Sequence, residues 1–177
     1  MKSKFSFIFS ILFCSTLIEA NISVEHLNNE LKKDYSFVER SLNQSDLKIE
    51  SSQGKIIFDQ SGISVIVMSP FEENYRIEGS TMEIYDVYLD QKQVVDIKTS
   101  ENFFLDILMN GIVENSAEYQ VSINANSIDI IASDENNIVN FFFNEDSLRL
   151  IKYKDSIGVE HGICLLYTSD AADEVVS

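Results

Sequence analysis

Residues Ser69–Val94 read SPFEENYRIEGSTMEIYDVYLDQKQV, and their pattern is the strongest indication of the fold. Apolar and polar residues alternate along this stretch, the chain turns at Glu78-Gly79, and the alternation resumes at Met82 and Ile84. A period of two is typical of a β-strand with one buried face, and a short glycine-containing turn between two such runs indicates a hairpin. The stretch therefore predicts an antiparallel β-meander, and it contains no catalytic motif.

The same pattern continues through most of the chain. Short alternating runs separated by polar turns extend from Phe37 to Tyr153, and Gln53-Gly54 is one of the predicted turns. The predicted strands are 37–42, 47–50, 55–58, 63–68, 74–78, 82–85, 94–98, 119–124, 127–132, 138–143 and 148–153. The fold class is therefore predicted to be mainly β with short helices, built on an antiparallel sheet.

Two segments have a helical pattern instead. Apolar residues at helical spacing predict a first helix over Ile22–Tyr35, and Ser23 can cap it. Glu101–Gly111, ENFFLDILMNG, predicts a second helix that stops at its glycine. This helix is apolar over so much of its surface that it needs cover. It either lids an apolar space or is a plain core helix.

Several strands carry large apolar residues on both faces, as in Ile56–Phe58, Val65–Val67 and Phe141–Phe143. A sheet that is packed on one side only usually alternates more cleanly between apolar and polar residues. Either helices cover a concave face of the sheet, or that face lines an apolar cavity. The sequence alone does not separate these two arrangements.

The two ends of the chain differ from its middle. Met1–Ala20 has a basic start, a short apolar run and a small final residue, which predicts a secretory signal peptide rather than an uncleaved membrane anchor. Bulky Phe13 disfavours Cys14 as a lipid-attachment site. Residues 164–177 look like a sequencing adaptor translated in frame. We therefore expect one domain over residues 21–163, truncated at its C-terminus.

Composition argues against several classes of function. The chain carries 13 Lys and Arg against 29 Asp and Glu, a formal net charge of −16, which disfavours nucleic acid and anionic lipid headgroups as partners. Residues 21–163 contain no cysteine, which excludes a disulfide framework or a thiol nucleophile there. His26 and His161 lie outside any motif for catalysis or metal binding. We therefore predict no catalytic residues, no metal, no cofactor and no enzymatic activity.

Ser69–Val94 resembles the middle of the periplasmic outer-membrane lipoprotein carrier family, LolA. The residues that carry this resemblance are Pro70, Glu72, Gly79, Thr81, Met82, Tyr85, Asp86, Leu89, Gln91 and Val94. Segments 36–44, 102–110 and 143–158 are similar to the family's first strand, short lid helix and late hairpin. The resemblance covers about residues 22–163.

The resemblance implies a fold and a function. The implied fold is a strongly curved antiparallel sheet, an unclosed β-barrel lidded by helices around an apolar cavity. The implied function is that of a monomeric periplasmic carrier of acylated lipoproteins, which takes them from the inner-membrane lipoprotein-releasing ABC transporter to the outer-membrane lipoprotein receptor.

The resemblance also implies which residues bind the ligand. The implied lid residues are Phe103, Phe104, Ile107 and Leu108, and the implied cavity-lining residues are Val65, Val67, Tyr75, Ile77 and Ile84.

Three alternatives stay open. The receptor shares the fold of the carrier but should carry a lipid-attachment cysteine. A sensor domain that regulates an envelope-stress protease has the same fold and is normally followed by a second domain. A periplasmic hydrolase would need two carboxylates that converge in a polar cleft.

Overall fold

The structure, a computed structural model, describes residues 22–45, 47–97, 102–133, 137–155 and 157–167, with the backbone alone at Tyr167. The predicted signal peptide, Cys14 and residues 168–177 lie outside these ranges.

In the described part of the chain there are two α-helices and eleven β-strands. The helices are α1, Val24–Glu30, and α2, Phe103–Asn110. The strands are β1 Tyr35–Asn43, β2 Lys48–Phe58, β3 Ile63–Ser69, β4 Glu73–Glu78, β5 Thr81–Asp86, β6 Gln91–Asp96, β7 Tyr119–Ile123, β8 Ser127–Ala132, β9 Ile138–Asn144, β10 Ser147–Lys154 and β11 Glu160–Tyr167. None of the helices in these ranges has the length and hydrophobicity needed to cross a bilayer.

All strands form one antiparallel sheet in the order β6-β5-β4-β3-β2-β1-β11-β10-β9-β8-β7. The chain moves outward by hairpins from β1 to β6, passes through α2, and starts again at β7 on the opposite edge. It then returns by hairpins to β11, which pairs with β1. Because β6 and β7 do not pair with each other, the sheet is an unclosed barrel, and the predicted fold class is confirmed.

The core lies on one face of this sheet. The register aligns Ile56 on β2 with Val65 on β3 and Tyr75 on β4, so that these side chains share the inner face. Their neighbours Ile57 and Ile66 alternate to the outer face and are half-buried. The strands that are apolar on both faces therefore present only one face to the core.

Helix α1 is shorter than predicted. Ser23 caps it as expected, because its hydroxyl accepts a hydrogen bond of 3.1 Å from the backbone amide of His26. The helix ends at Glu30, however, and Tyr35 already belongs to β1, where it pairs with Ile56. The apolar spacing continues across this boundary because both elements contribute side chains to the same core.

The predicted turn at Gln53-Gly54 is wrong. Strand β2 runs straight through it, with a register shift against β3 between these two residues. A Cβ atom on Gly54 would lie 2.0 Å from the carbonyl oxygen of Ile66 and 2.9 Å from the Phe37 ring. The glycine is therefore required for a close approach at a bulge, not for a turn.

Strand β11 crosses the predicted domain boundary at residue 163. Its residues pair with β1 on one side and with β10 on the other, and Leu165 is buried opposite Phe37. Residues 164–167 are thus part of the sheet in this structure. The foreign origin proposed for residues 164–177 stays a prediction.

Candidate functional site

A cavity of about 280 Å³ is lined jointly by the inner face of the sheet and by α2. Most of its lining is apolar, and the polar side chains come from Glu39, Asn102 and three tyrosines. The lining residues are Leu31, Tyr35, Phe37, Glu39, Ile56, Phe58, Val65, Val67, Tyr75, Ile77, Met82, Asn102, Phe104, Leu105, Leu108, Ile151, Tyr153, Ile163 and Leu165.

Six of the residues implied by the family resemblance lie at this cavity. Val65 and Val67 are alternate residues of β3, so both face inward, and Tyr75 and Ile77 continue the same wall on β4. Phe104 and Leu108 reach the cavity from α2, where their spacing of four residues places them on one face of the helix. Their binding role stays a prediction, but they do lie together.

The other three implied residues lie elsewhere. Phe103 and Ile107 occupy a neighbouring face of α2; Phe103 packs against Tyr119, with ring centroids 6.1 Å apart, and Ile107 is buried. Ile84 shares the inner face with Tyr75 but lies one strand farther toward the open edge. None of these three side chains lines the cavity.

Local interactions position α2 over the sheet. The Asn102 side chain caps its N-terminus by accepting a hydrogen bond from the Leu105 amide at 3.1 Å. Gly111 ends it with a φ of 70°, a conformation that a residue with a side chain rarely adopts. Just beyond, Asn28 of α1 binds both the amide and the carbonyl of Ile112, each at 2.8 Å. The C-terminal end of α2 is thus attached to α1.

A stack of three rings connects α2 to the far wall. Phe104 lies on Tyr153 with ring centroids 4.2 Å apart and an interplanar angle of 17°. Tyr153 in turn lies on His161 of β11, with centroids 4.6 Å apart and an angle of 6°. Aromatic stacks of this kind add to the energy of apolar burial and fix the relative orientation of the rings.

Two carboxylates flank the last ring of this stack. His161 Nδ1 lies 2.8 Å from Glu39 Oε1, and His161 Nε2 lies 3.3 Å from Asp155 Oδ2. An ionised carboxylate only accepts hydrogen bonds, so the doubly protonated imidazolium is the form that satisfies both neighbours. The hydrogen bond to Glu39 accordingly raises the pKa of His161, although burial opposes it.

The pKa values of the two carboxyl groups move the other way. The hydrogen bond from His161 holds the pKa of Glu39 below its usual value, against the effect of burial. Burial would raise the pKa of Asp155, but the hydrogen bonds from the Val159 amide and from His161 lower it overall. Ser52 also donates to Glu39, at 2.9 Å. The cluster is therefore a set of mutually satisfied charges.

The chemistry offered by this site is burial of apolar surface. Because both ring nitrogens of His161 face carboxylates, neither is directed at a hydroxyl or thiol that it could deprotonate. Within the residues that the structure describes, no group of three or more His, Cys, Asp or Glu side chains could hold a metal ion. The lining is suited to a neutral, flexible, apolar ligand.

Sequence reasoning missed several lining residues, including Glu39 and Tyr153. The signal for them was present: Tyr35, Phe37 and Glu39 are alternate residues of β1 and therefore share one face. Which face points inward depends on the pairing of β1 with β2 and β11. Strand β11 was not predicted, so the central part of the cavity wall could not be assembled.

The sequence matches no protein-family model and no curated protein. Its fold is similar to that of several solved structures. A LolA superfamily protein from Nitrosomonas europaea has 8% identity and a TM-score of 0.43, over 82% of this chain and 92% of that one.

Two further structures are mycobacterial. Lipoprotein LppX of Mycobacterium tuberculosis has 11% identity and a TM-score of 0.39, over 81% and 92% of the two chains. LprF of Mycobacterium bovis has 11% identity and a TM-score of 0.34, over 81% and 89%. With identities and TM-scores this low, what this chain binds has to follow from its own cavity.

Proposed function

We propose that this protein is a periplasmic carrier that binds the acyl chains of lipoproteins in the cavity beneath α2. It takes acylated lipoproteins from an inner-membrane releasing transporter and delivers them to an outer-membrane receptor. The observation that carries the proposal is the apolar cavity formed jointly by the sheet and α2. The predicted signal peptide, residues 1–20, supports the periplasmic location.

The walls of the cavity favour an acyl chain over a polar ligand. The carboxylate of Glu39 is already bound by His161 and Ser52, and the hydroxyl of Tyr75 donates to Glu73. A ligand inside the cavity therefore meets mainly apolar side chains, and the polar groups of Glu39 and Tyr75 already have partners. A charged or strongly polar ligand would lose its hydration there without compensation.

The energetics require a lid. Burial of an acyl chain contributes about 0.8 kcal/mol per methylene group, so ten buried methylenes contribute on the order of 8 kcal/mol. If all of this free energy stabilised the bound state, the ligand would dissociate too slowly for the protein to act as a carrier. If α2 covers the cavity in one state and moves aside in another, part of the burial energy is offset by opening. Helix α2 is the lid in this proposal.

Binding is tested by titrating delipidated protein with 11-(dansylamino)undecanoic acid, whose fluorescence rises in an apolar site. Val65→Phe should fill the cavity and weaken binding at least tenfold. Ile66→Phe is the matched control, because it places the same aromatic side chain on the outer face of the same strand. Equal binding by both variants and the wild type would show that the probe binds elsewhere.

The carrier role needs a second experiment. Inner-membrane vesicles that contain the releasing transporter are incubated with this protein and an acylated lipoprotein. The expected result is a soluble complex of the two proteins, and no complex with a lipoprotein whose acylated cysteine is replaced by serine. A complex that forms equally well without the acyl chains would contradict the role.

A further inference from the structure

Four hairpin turns at one end of the sheet expose large apolar side chains. These turns connect β1 to β2, β3 to β4, β5 to β6 and β10 to β11, and in an antiparallel sheet all four lie where β1 ends. The most exposed large apolar residue in each is Leu47 at 77%, Phe71 at 71%, Tyr88 at 86% and Ile157 at 83%. We call these four side chains the apolar rim.

The hairpin turns at the opposite end of the sheet contain no large apolar residues. There the turns are Asp59–Gly62, Glu78–Ser80, Asn124–Asn126 and Asn144–Asp146, and they contain polar residues, glycine and one alanine. Both ends consist of hairpin turns of the same sheet, so the difference does not arise from the fold. Large apolar side chains are exposed in the four turns of the apolar rim and in none of the turns at the opposite end, which indicates a surface that binds something.

The strand order places the members of the rim side by side. In the run β6-β5-β4-β3-β2-β1-β11-β10 each of the four hairpins occupies two neighbouring strands. Neighbouring strands are about 4.8 Å apart, so successive turns are roughly 10 Å apart. Protein partners are usually bound by a contiguous, closely packed patch. Apolar side chains that are spaced in a row on separate turns are better suited to insertion into a lipid bilayer.

The charges near the apolar rim indicate which lipid headgroups this surface binds. Acidic residues flank three of the turns, namely Glu72, Asp86, Asp90 and Asp155, and the whole chain has a formal net charge of −16. Anionic headgroups would be repelled, whereas exposed tyrosine, phenylalanine and aliphatic side chains partition into the interface of a bilayer. We propose that the apolar rim docks this protein on a lipid bilayer with zwitterionic headgroups.

This docking surface is distinct from the ligand site. None of the four rim residues lines the cavity. All four lie in turns at the strand ends, whereas the cavity is lined by side chains on the inner face of the sheet. The proposal concerns contact of the whole protein with a membrane surface, and it holds whether or not the cavity takes up an acyl chain.

The test is flotation of the protein with phosphatidylcholine vesicles. The wild type should float with the vesicles, and the fraction bound should not fall between low and high salt. The variant Leu47→Ser/Phe71→Ser/Tyr88→Ser/Ile157→Ser should bind at least tenfold more weakly. A matched control replaces four other exposed apolar residues, Val94, Val113, Ile123 and Leu166, by serine and should bind within twofold of the wild type.

Thermal unfolding and a cavity variant complete the experiment. The rim side chains are exposed, so the rim variant should unfold at the same temperature as the wild type. Val65→Phe should float normally even if it no longer binds the acyl probe. The proposal is wrong if the wild type fails to float, if both serine variants lose binding equally, or if only anionic vesicles bind and salt releases the protein.

Discussion

Phe104 of α2 stacks on Tyr153 of β10, with their ring centroids 4.2 Å apart. This contact joins the proposed lid to the wall of the cavity, and both rings line it. The other end of the helix is attached through Asn28 to Ile112. An opening motion of α2 would keep the Asn28 attachment and break the aromatic stack.

Phe104→Ala and Leu108→Ala are predicted to weaken closure of the lid. Truncation of a buried phenylalanine costs about 3–5 kcal/mol and that of a leucine about 2–5 kcal/mol, less where the side chain is only partly buried. The amide hydrogens of α2 should exchange faster, and the acyl probe should dissociate faster. Phe103→Ala is the control, because Phe103 packs on Tyr119 and leaves the cavity intact. If retention of the probe is unchanged in both lid variants, α2 is not the lid.

A second prediction concerns pH and the His161 cluster. The raised pKa of His161 means that its stabilising effect is present below the ordinary histidine pKa, about 6.5, and is lost as the pH rises through the raised value. The lowered pKa values of Glu39 and Asp155 mean that their contribution is present above about pH 4.5 and is lost as the pH falls through the lowered values. The cluster should therefore stabilise the fold most near pH 5.5.

The measurement is urea unfolding of the wild type and of His161→Gln at several pH values. The difference in free energy of unfolding should be largest near pH 5.5 and should decrease by on the order of 1 kcal/mol by pH 9. His26→Gln is the control, because it removes the other histidine and leaves the cluster intact. A difference that stays constant from pH 5.5 to 9 would contradict the assigned charge state.

A third prediction concerns Glu30, a carboxylate that is 1% exposed. It accepts hydrogen bonds from the Tyr35 hydroxyl at 3.1 Å and from the Leu148 amide at 3.0 Å, and it also pairs with Lys33. It thereby joins α1 to β1 and β10. Glu30→Ala would leave a buried amide without a partner and should lower the free energy of unfolding by about 3 kcal/mol.

Lys33→Ala provides the comparison, since the Lys33 side chain is 48% exposed. Its loss should cost about 1 kcal/mol or less, because half-exposed ion pairs contribute little. Both variants can be compared by urea unfolding at neutral pH. Equal destabilisation would mean that the ion pair, not the hydrogen bonds, makes the Glu30 contribution.

The fourth prediction separates two glycines of the sheet. In Gly54→Ala the new Cβ atom would lie 2.0 Å from a backbone oxygen, so the strands must move apart, at a cost on the order of 3 kcal/mol. In Gly162→Ala the nearest atom would be 3.9 Å away, and stability should change by about 1 kcal/mol or less. Thermal unfolding distinguishes the two, and similar melting temperatures would contradict the close approach at β2.

Local signals in the sequence predicted much of the fold. Ser23 as a cap, Gly111 as a stop and the alternation through Ser69–Val94 each act over a few residues, and the structure agrees at all three. Gly54 shows the limit of such reasoning. A glycine at a turn and a glycine at a bulge look the same until the neighbouring strand is known, and here that neighbour is Ile66.

The site was less predictable than the fold because it depends on pairings that are distant in sequence. Glu39 reaches the cavity because β1 is paired with β11, more than 100 residues later. Phe103 and Phe104 are adjacent and equally apolar, yet one packs on Tyr119 and the other on Tyr153. Their contacts differ because the two side chains point from α2 toward different strands of the sheet.

The most direct test of the central claim is an NMR experiment with ¹³C-labelled palmitate bound to the delipidated protein. Intermolecular NOEs are expected between the acyl chain and the methyl groups of Val65, Val67 and Leu108, which all line the cavity. Ile66, on the outer face of the same strand, should show none. NOEs confined to outer-face residues, or no binding of palmitate, would contradict the claim that this cavity holds an acyl chain.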